Sequence, residues 1–412
     1  MAAGPGGLEA YYGLPREVKF CRRCVISNQR PDSTVEFRHG KGERKSTIAF
    51  DAEGVCSACR YADLKNREID WRQREAELID LCNRHRSRTG AYDCIVPGSG
   101  GKDSGFTAHV LKYKYGMHPL TVTWAPHLYT EVGFRNLQAW IHAGFDNILF
   151  TPNGKVHRLL TRLAFENLLH PFQPFIIGQR QIGPKFSVLY GIPLVFYGEN
   201  QAEYGHRLED NFIPTMDPRF YAGEPDPESV LLGGVSGREL MAAHGLTPPD
   251  LHPYLAVDEA RARAVGTEVH YLGYYLKWDP QECYYYAVAN TGFSPNDERT
   301  EGSYSKYSSI DDRIDPFHYY TTYIKFGIGR ATYDAAQEIR HGKITREEGV
   351  ALVRRFDHEF PAKYFAEFLD YTGLTVERFR QCVDAARSPH LWERTDGEWR
   401  LRHAVWMEEH RS

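Results

Sequence analysis

Long apolar runs are missing from this 412-residue chain. No stretch of about 18 residues is apolar throughout, so nothing in it reads as a membrane-spanning helix. The opening residues, MAAGPGGLEAYYG, lack the basic patch and apolar stretch of a secretory signal. An excess of basic charge is missing as well: 50 Lys and Arg stand against 54 Asp and Glu, giving a net charge of −4. That is not the field of a protein built to coat nucleic acid. Eight cysteines are too few for a disulfide scaffold at this length, and the 18 histidines show no H-x-x-x-H ligand spacing. Internal repeats and low-complexity tracts are absent. What remains is ordinary for a globular protein, 42% hydrophobic and 25% charged. The expectation is a cytoplasmic protein with neither a membrane nor a nucleic acid as partner.

The cysteines that are present are not scattered evenly. Cys21 and Cys24 form one C-x-x-C pair, Cys56 and Cys59 a second. Four thiolates on two knuckles close a tetrahedral site without water, which marks a structural rather than a catalytic metal. The pairs predict a zinc ribbon over residues 19–62, with the charged run RHGKGERKS as a loop between the knuckles. Four reduced thiols without metal, or an iron–sulfur cluster, are the competing readings. Cys82, Cys94, Cys283 and Cys382 read as small buried apolar residues.

The middle of the chain alternates between β-rich runs and helical periods. YDCIVP, PLTVTW, NILFTP and IPLVFYGE are separated by segments of helical length, and EVHYLGYYLKW supplies a fifth run. This pattern predicts an α/β fold with a five-stranded parallel sheet covered by helices. The organisation expected is a flexible tail at 1–18, the ribbon at 19–62 and a linking helix at 63–90. A sheet domain follows at 91–280 with an insertion at about 202–265, and a mainly helical region at 281–412 completes the substrate site.

The densest concentration of small residues is PGSGGKDSGF, between the first strand and the helix after it. Glycines there let the backbone approach a ligand, and N–H groups at a helix start favour an anion. The spacing fits neither a Walker loop nor a dinucleotide fingerprint. Ser99-Gly100-Gly101-Lys102-Asp103-Ser104 instead resembles the PP-loop of ATP pyrophosphatases, which split ATP between its α- and β-phosphates and adenylylate a substrate oxygen. On that resemblance the loop N–H groups and Lys102 hold pyrophosphate, Ser99 and Ser104 add hydrogen bonds, and Asp103 orients the loop or a Mg²⁺ ion. The resemblance also implies the strand order 3-2-1-4-5. That order sets Glu199, Asn200 and Glu203, at the end of IPLVFYGENQAEYG, against the glycine loop as pocket candidates. A glycine-rich turn serving only helix packing, and a polar turn at the strand end, are the bland alternatives.

The ribbon, SGGKDS, IPLVFYGENQAEYG, YLGYYLKWDP, EGSYSKYSSIDDRIDPFHYYTTYIKFGIGRATYDAAQEIRHGKITREEGVALV and RFDHEFP together resemble the N-acetyl sugar amidotransferases of bacterial surface polysaccharide and nonulosonic acid biosynthesis. The likeness runs from about Lys19 to Leu374. It implies conversion of an acetamido group, on a sugar that is expected to be UDP-linked, to an acetamidino group. ATP, Mg²⁺ and ammonia would be consumed, and a separate glutaminase subunit would supply the ammonia. Lys325 and Arg330, around the Gly-x-Gly turn of YIKFGIGRATYD, are candidates to meet phosphate or a nucleotide-sugar anion; Lys185 is a further candidate for pyrophosphate. The tyrosine clusters YYYAV and FHYY read as core. Two alternatives stand beside this reading: a PP-loop tRNA thiolase, and a non-catalytic ATP-binding sensor.

Overall fold

The computed structural model describes residues 8–32, 44–199, 203 and 212–408. At its centre lie β1 (Cys94–Pro97), β2 (Pro119–Trp124), β3 (Asp146–Phe150), β4 (Leu194–Tyr197) and β5 (Glu268–Tyr271). They form one sheet in the order β3-β2-β1-β4-β5, and every neighbouring pair is parallel. This is the sheet that the sequence pattern predicts.

Helices precede, connect and follow these strands. Ahead of β1 come α1 (Ser57–Arg67) and α2 (Trp71–His85). Between strands lie α3 (Lys102–His109), α4 (Glu131–His142), and the pair α5 (Gly154–Leu168) and α6 (Gln173–Tyr190). After β5 come α7 (Pro280–Thr291), α8 (Asp315–Phe326), α9 (Arg330–Arg340), α10 (Arg346–Phe356), α11 (Phe365–Thr372) and α12 (Val376–Ala385). Strand side chains alternate between two cores. Ile95, Leu120, Val122 and Val195 pack with Phe175 and Ile182 of α6 on one face. Cys94, Val96, Leu194 and Phe196 pack with Leu78 of α2, Ala108 of α3 and Trp140 of α4 on the other. A sheet buried on both faces explains why its strands read as continuous apolar runs. The C-terminal helices are fastened to α5 by an aromatic cluster: Phe317 stacks on Phe368 at 4.2 Å and Phe165 on Phe379 at 5.0 Å between ring centroids.

Several boundaries differ from the expectation. The single linking helix is two helices, because the Asp70 carboxylate accepts from the N–H groups of Arg72 and Gln73 and starts a new one. The first of them begins inside the second cysteine knuckle. The fifth strand stops at Tyr271, where Leu272–Tyr275 makes a helical turn. Part of the expected tail is packed: Tyr12 is buried, and the Tyr11 N–H donates to Ser388 Oγ at 2.9 Å. The C-terminal region ends in an antiparallel hairpin, β6 (Trp392–Thr395) with β7 (Glu398–Leu401). Asp396 and Gly397 turn it with φ of 52° and 85°. The expected RHGKGERKS loop lies mostly outside the described residues. No helix among those described is long and apolar enough to cross a membrane.

One glycine is dictated by packing. A Cβ on Gly98 would fall 2.1 Å from Ser104 Cβ, because α3 folds back directly over the end of β1. Gly98→Ala is expected to lose about 1–3 kcal/mol of unfolding free energy in a denaturant titration.

Candidate functional site

The loop that joins β1 to α3 opens at the carboxyl edge of the sheet. Gly100 holds φ of +81° and brings its backbone against Asn136 and Leu137 of α4. Gly101 is the N-cap of α3 and offers no side chain, so no capping group closes the helix start. Its first-turn N–H groups remain open to an anion. Lys102 is buried, with Nζ 2.5 Å from Asp103 Oδ2. Burial alone would lower its pKa, but the carboxylates of Asp103 and Glu199 outweigh that and hold it above the usual range. Ser104 Oγ donates to Gly101 O at 3.2 Å. Asp103 Oδ1 is buried with no hydrogen-bond partner.

This loop lines a cavity of about 960 Å³. Glu199 faces it from the end of β4, the strand beside β1. Opposite stands the run Ser309–Asp315, held to the sheet edge through Asp312. That carboxylate accepts from His127 N and His127 Nδ1, each at 2.7 Å, and from Ile314 N at 2.9 Å. With Asp312 anchored, its neighbour Asp311 bonds Ser99 of the glycine loop. Asp315 begins α8. Arg330 begins α9, 3.0 Å from Asp334 Oδ1 and 2.8 Å from Ser309 Oγ, with its guanidinium 4.3 Å over the Tyr319 ring.

Carboxylates crowd the cavity and repel one another. Burial, with the Asp103 charge added, pushes Glu199 up to about 8. Burial likewise pushes Asp315 up to about 7, against the pull of Arg330, and raises Asp311. The result is a glycine loop with one buried lysine, faced by an arginine and by carboxylates whose pKa values are raised. Such a site suits a polyphosphate accompanied by a divalent cation.

Among the sequence candidates, Ser99, Gly101, Lys102, Asp103, Glu199, Lys325 and Arg330 line this one cavity. Gly100 and Ser104 belong to the same loop. Other candidates are spent elsewhere. Lys185 stands apart from the cavity: its ammonium donates to His252 O at 2.5 Å and Pro253 O at 2.8 Å, and burial lowers its pKa to about 7. Lys325 borders the cavity, but its Nζ is tied to Leu168 O at 2.7 Å. Glu203 is turned away into a buried ion pair with Lys65 at 2.6 Å. Asn200 lies outside the described residues. Asp311, Asp315, Tyr319, Asp334 and Glu338 were not singled out in the sequence, although the run SIDDRID and the four-residue spacing of Arg330, Asp334 and Glu338 along one helix face were available as signals.

The cysteine pairs meet as expected. Cys21, Cys24, Cys56 and Cys59 are buried, and their sulfurs lie within 4.8 Å of one another. Cys21 Sγ is 3.9 Å from Cys59 Sγ, and Cys24 Sγ is 3.8 Å from Cys56 Sγ. A tetrahedron with Zn–S bonds of about 2.3 Å requires sulfurs about 3.8 Å apart. The donor set therefore fits a structural zinc, with all four positions taken by protein.

Elemental analysis is expected to find about one zinc per chain, lost in Cys24→Ser. The cavity carboxylates generate a second expectation. Glu199 and Asp315 keep protons in the folded chain at pH values where the unfolded chain has released them. Between their ordinary pKa range and pH of about 8 the folded form therefore binds more protons, and stability falls as pH rises. The melting temperature of the ligand-free chain should drop between pH 6 and pH 8.5, on the order of a few degrees, and Glu199→Gln should flatten that drop.

Residues 301–405 match a family model described as the C-terminal domain of WbpG-like LPS biosynthesis proteins. No curated protein matches the chain. The match spans the acidic run, α8 to α12 and the hairpin, so the wall that carries Asp311, Asp315 and Arg330 is built by a domain similar to that of LPS biosynthesis proteins.

Proposed function

We propose that the chain is an ATP-dependent amidotransferase that converts an acetamido group of a nucleotide-linked sugar to an acetamidino group. The observation that carries this reading is the open N-terminus of α3, with buried Lys102, facing a cavity whose far wall resembles an LPS biosynthesis domain. The PP-loop resemblance of Ser99–Ser104 supplies the chemistry. The amide oxygen of the sugar attacks the α-phosphorus of ATP, and pyrophosphate leaves into the glycine loop. Ammonia then adds to the activated carbon, and AMP departs with the former amide oxygen. An amide oxygen is a poor leaving group, and adenylylation converts it into a good one.

Lys102 and the first-turn N–H groups of α3 would hold the departing charge, which is how such a site lowers the barrier. Magnesium ordinarily takes one or two carboxylates and completes its shell with phosphate oxygens and water. Asp103, with its unpartnered oxygen, and the carboxylates of Asp311 and Asp315 are the residues that would share the ion with the nucleotide. Among the described residues the four cysteines are the only group of three or more potential metal ligands that close together, so the ion would arrive with ATP rather than wait in a protein cage.

Ammonia would come from a separate glutaminase. Burial pushes the Cys82 thiol up to about 11 and raises Cys94, Cys283 and Cys382 as well. A nucleophile for glutamine requires the opposite shift. The same raised thiols weigh against a thiolase.

The test incubates the chain with ATP, Mg²⁺, ammonium and a panel of UDP-linked acetamido sugars. AMP, pyrophosphate and a sugar in which O has been replaced by NH are expected by mass spectrometry. Release of ADP in place of AMP would falsify the reading. Lys102→Ala is expected to reduce pyrophosphate release roughly 10²- to 10³-fold in a chain that still folds.

A further inference from the structure

Lys65 is among the most deeply buried side chains of the protein, about 1% exposed. Its Nζ donates to Glu203 Oε1 at 2.6 Å, to Trp278 O at 2.8 Å and to His341 Nε2 at 2.9 Å. All three ammonium protons are thereby used. Because an ammonium only donates, His341 must accept through Nε2, and its proton sits on Nδ1, which donates to Gln337 O at 2.8 Å. Burial and the adjacent Lys65 charge keep this imidazole below its ordinary pKa range.

Each of the three acceptors leads to the cavity. The Trp278 ring stands edge-on to Phe106 of α3, the helix that begins at Lys102, with centroids 5.4 Å apart. It also occupies the space where a side chain at Gly198 would be, 2.8 Å from an ideal Cβ and one residue before Glu199. His341 follows α9 and itself lines the cavity. Glu203 lies four residues beyond Glu199, and Arg340 grips its carbonyl at 3.0 Å.

The opposite end of the same helix belongs to the cysteine centre. Cys56 is the N-cap of α1, and Cys59 lies in its first turn. Six residues separate Cys59 from Lys65, about 9 Å along the helix axis. One short helix thus has two of the four clustered cysteines at its start and the three hydrogen bonds of Lys65 near its end.

We propose that Lys65 is a positioning residue through which the shape of the cavity depends on occupancy of the cysteine centre. With zinc bound, α1 is fixed and Lys65 supplies the ion-pair partner of buried Glu203 and a donor to His341 Nε2, whose other neighbours are Trp278 O at 3.3 Å and Glu203 Oε2 at 3.9 Å. Removing the metal frees the start of α1. A buried ion pair that loses one member is strongly destabilised, so Glu203 and His341 must move towards water and take the ends of β4 and α9 with them. The link holds whatever reaction the cavity performs.

Amide hydrogen exchange on the full chain, with and without a zinc chelator, tests it. Chelation is expected to raise exchange roughly tenfold or more in α1, at Leu194–Glu199 and at Ala336–His341, while Leu120–Trp124 of β2 stays protected. The double variant Lys65→Met with Glu203→Met, which replaces the buried pair by apolar packing, should still bind zinc. In it, chelation should loosen α1 alone. Unchanged exchange at the two cavity segments in the unmodified chain would overturn the proposal, as would an equal rise in β2, which reports global unfolding. A response in a zinc-binding double variant equal to that of the unmodified chain would overturn it too. The unmodified chain decides the question even should the double variant not fold.

Discussion

The pairing of β1 with β4 is the constraint from which the site follows. The two strands lie parallel, Cys94 beside Leu194 and Ile95 beside Val195, yet the chain between them passes through β2 and β3 on the far side of β1. The connections therefore leave β1 and β4 in opposite directions, and a crevice opens between them at the carboxyl edge. Gly98–Gly101 and Gly198–Glu199 emerge into it side by side. Displacing either strand by one residue would exchange the faces of its side chains, moving Ile95 or Val195 out of one core and into the other. The apolar alternation of the sheet thus fixes where the glycine loop and a carboxylate meet.

The cavity departs from what stability alone would select. Carboxylates at Asp103, Glu199, Asp311 and Asp315 share a buried space with Lys102 and Arg330, and several hold protons at pH values where an exposed carboxylate would be ionised. The C-terminal helices make this possible by closing over the sheet edge through the stack of Phe165, Phe317, Phe368 and Phe379.

The parallel sheet and the meeting of the four cysteines were legible in the sequence, because each depends on short-range periodicity or on pairs of residues of distinctive chemistry, whereas the strand order came with the PP-loop resemblance. What was not legible depends on partners far away along the chain. Glu203 sits where a strand-end acid was expected to face ligand, but its partner Lys65 is separated from it by 138 residues. Lys185 and Lys325 were read as candidates to meet phosphate, and backbone carbonyls hold both. Tyr11 and Tyr12 look like part of a tail until Ser388 and Ala386 are set against them. Other misses were local. Asp70 had the chemistry of a helix cap, and Asp396-Gly397 that of a two-residue hairpin turn. In the acidic run Asp311, Asp312 and Asp315 all line the cavity, and the sequence does not reveal that Asp312 is the one whose carboxylate is taken up by His127 and Ile314.

Asp312 helps to secure the path of the acidic run, through the main chain and imidazole of His127 and the main chain of Ile314, together with the bonds of Thr130 to Ile310 O and Asp311 O and of Arg313 N to Leu128 O. None of those bonds uses the side chain of Asp311 or Asp315. Exchanging the side chain at 311 or 315 therefore leaves those bonds in place while changing the charge that faces the chamber.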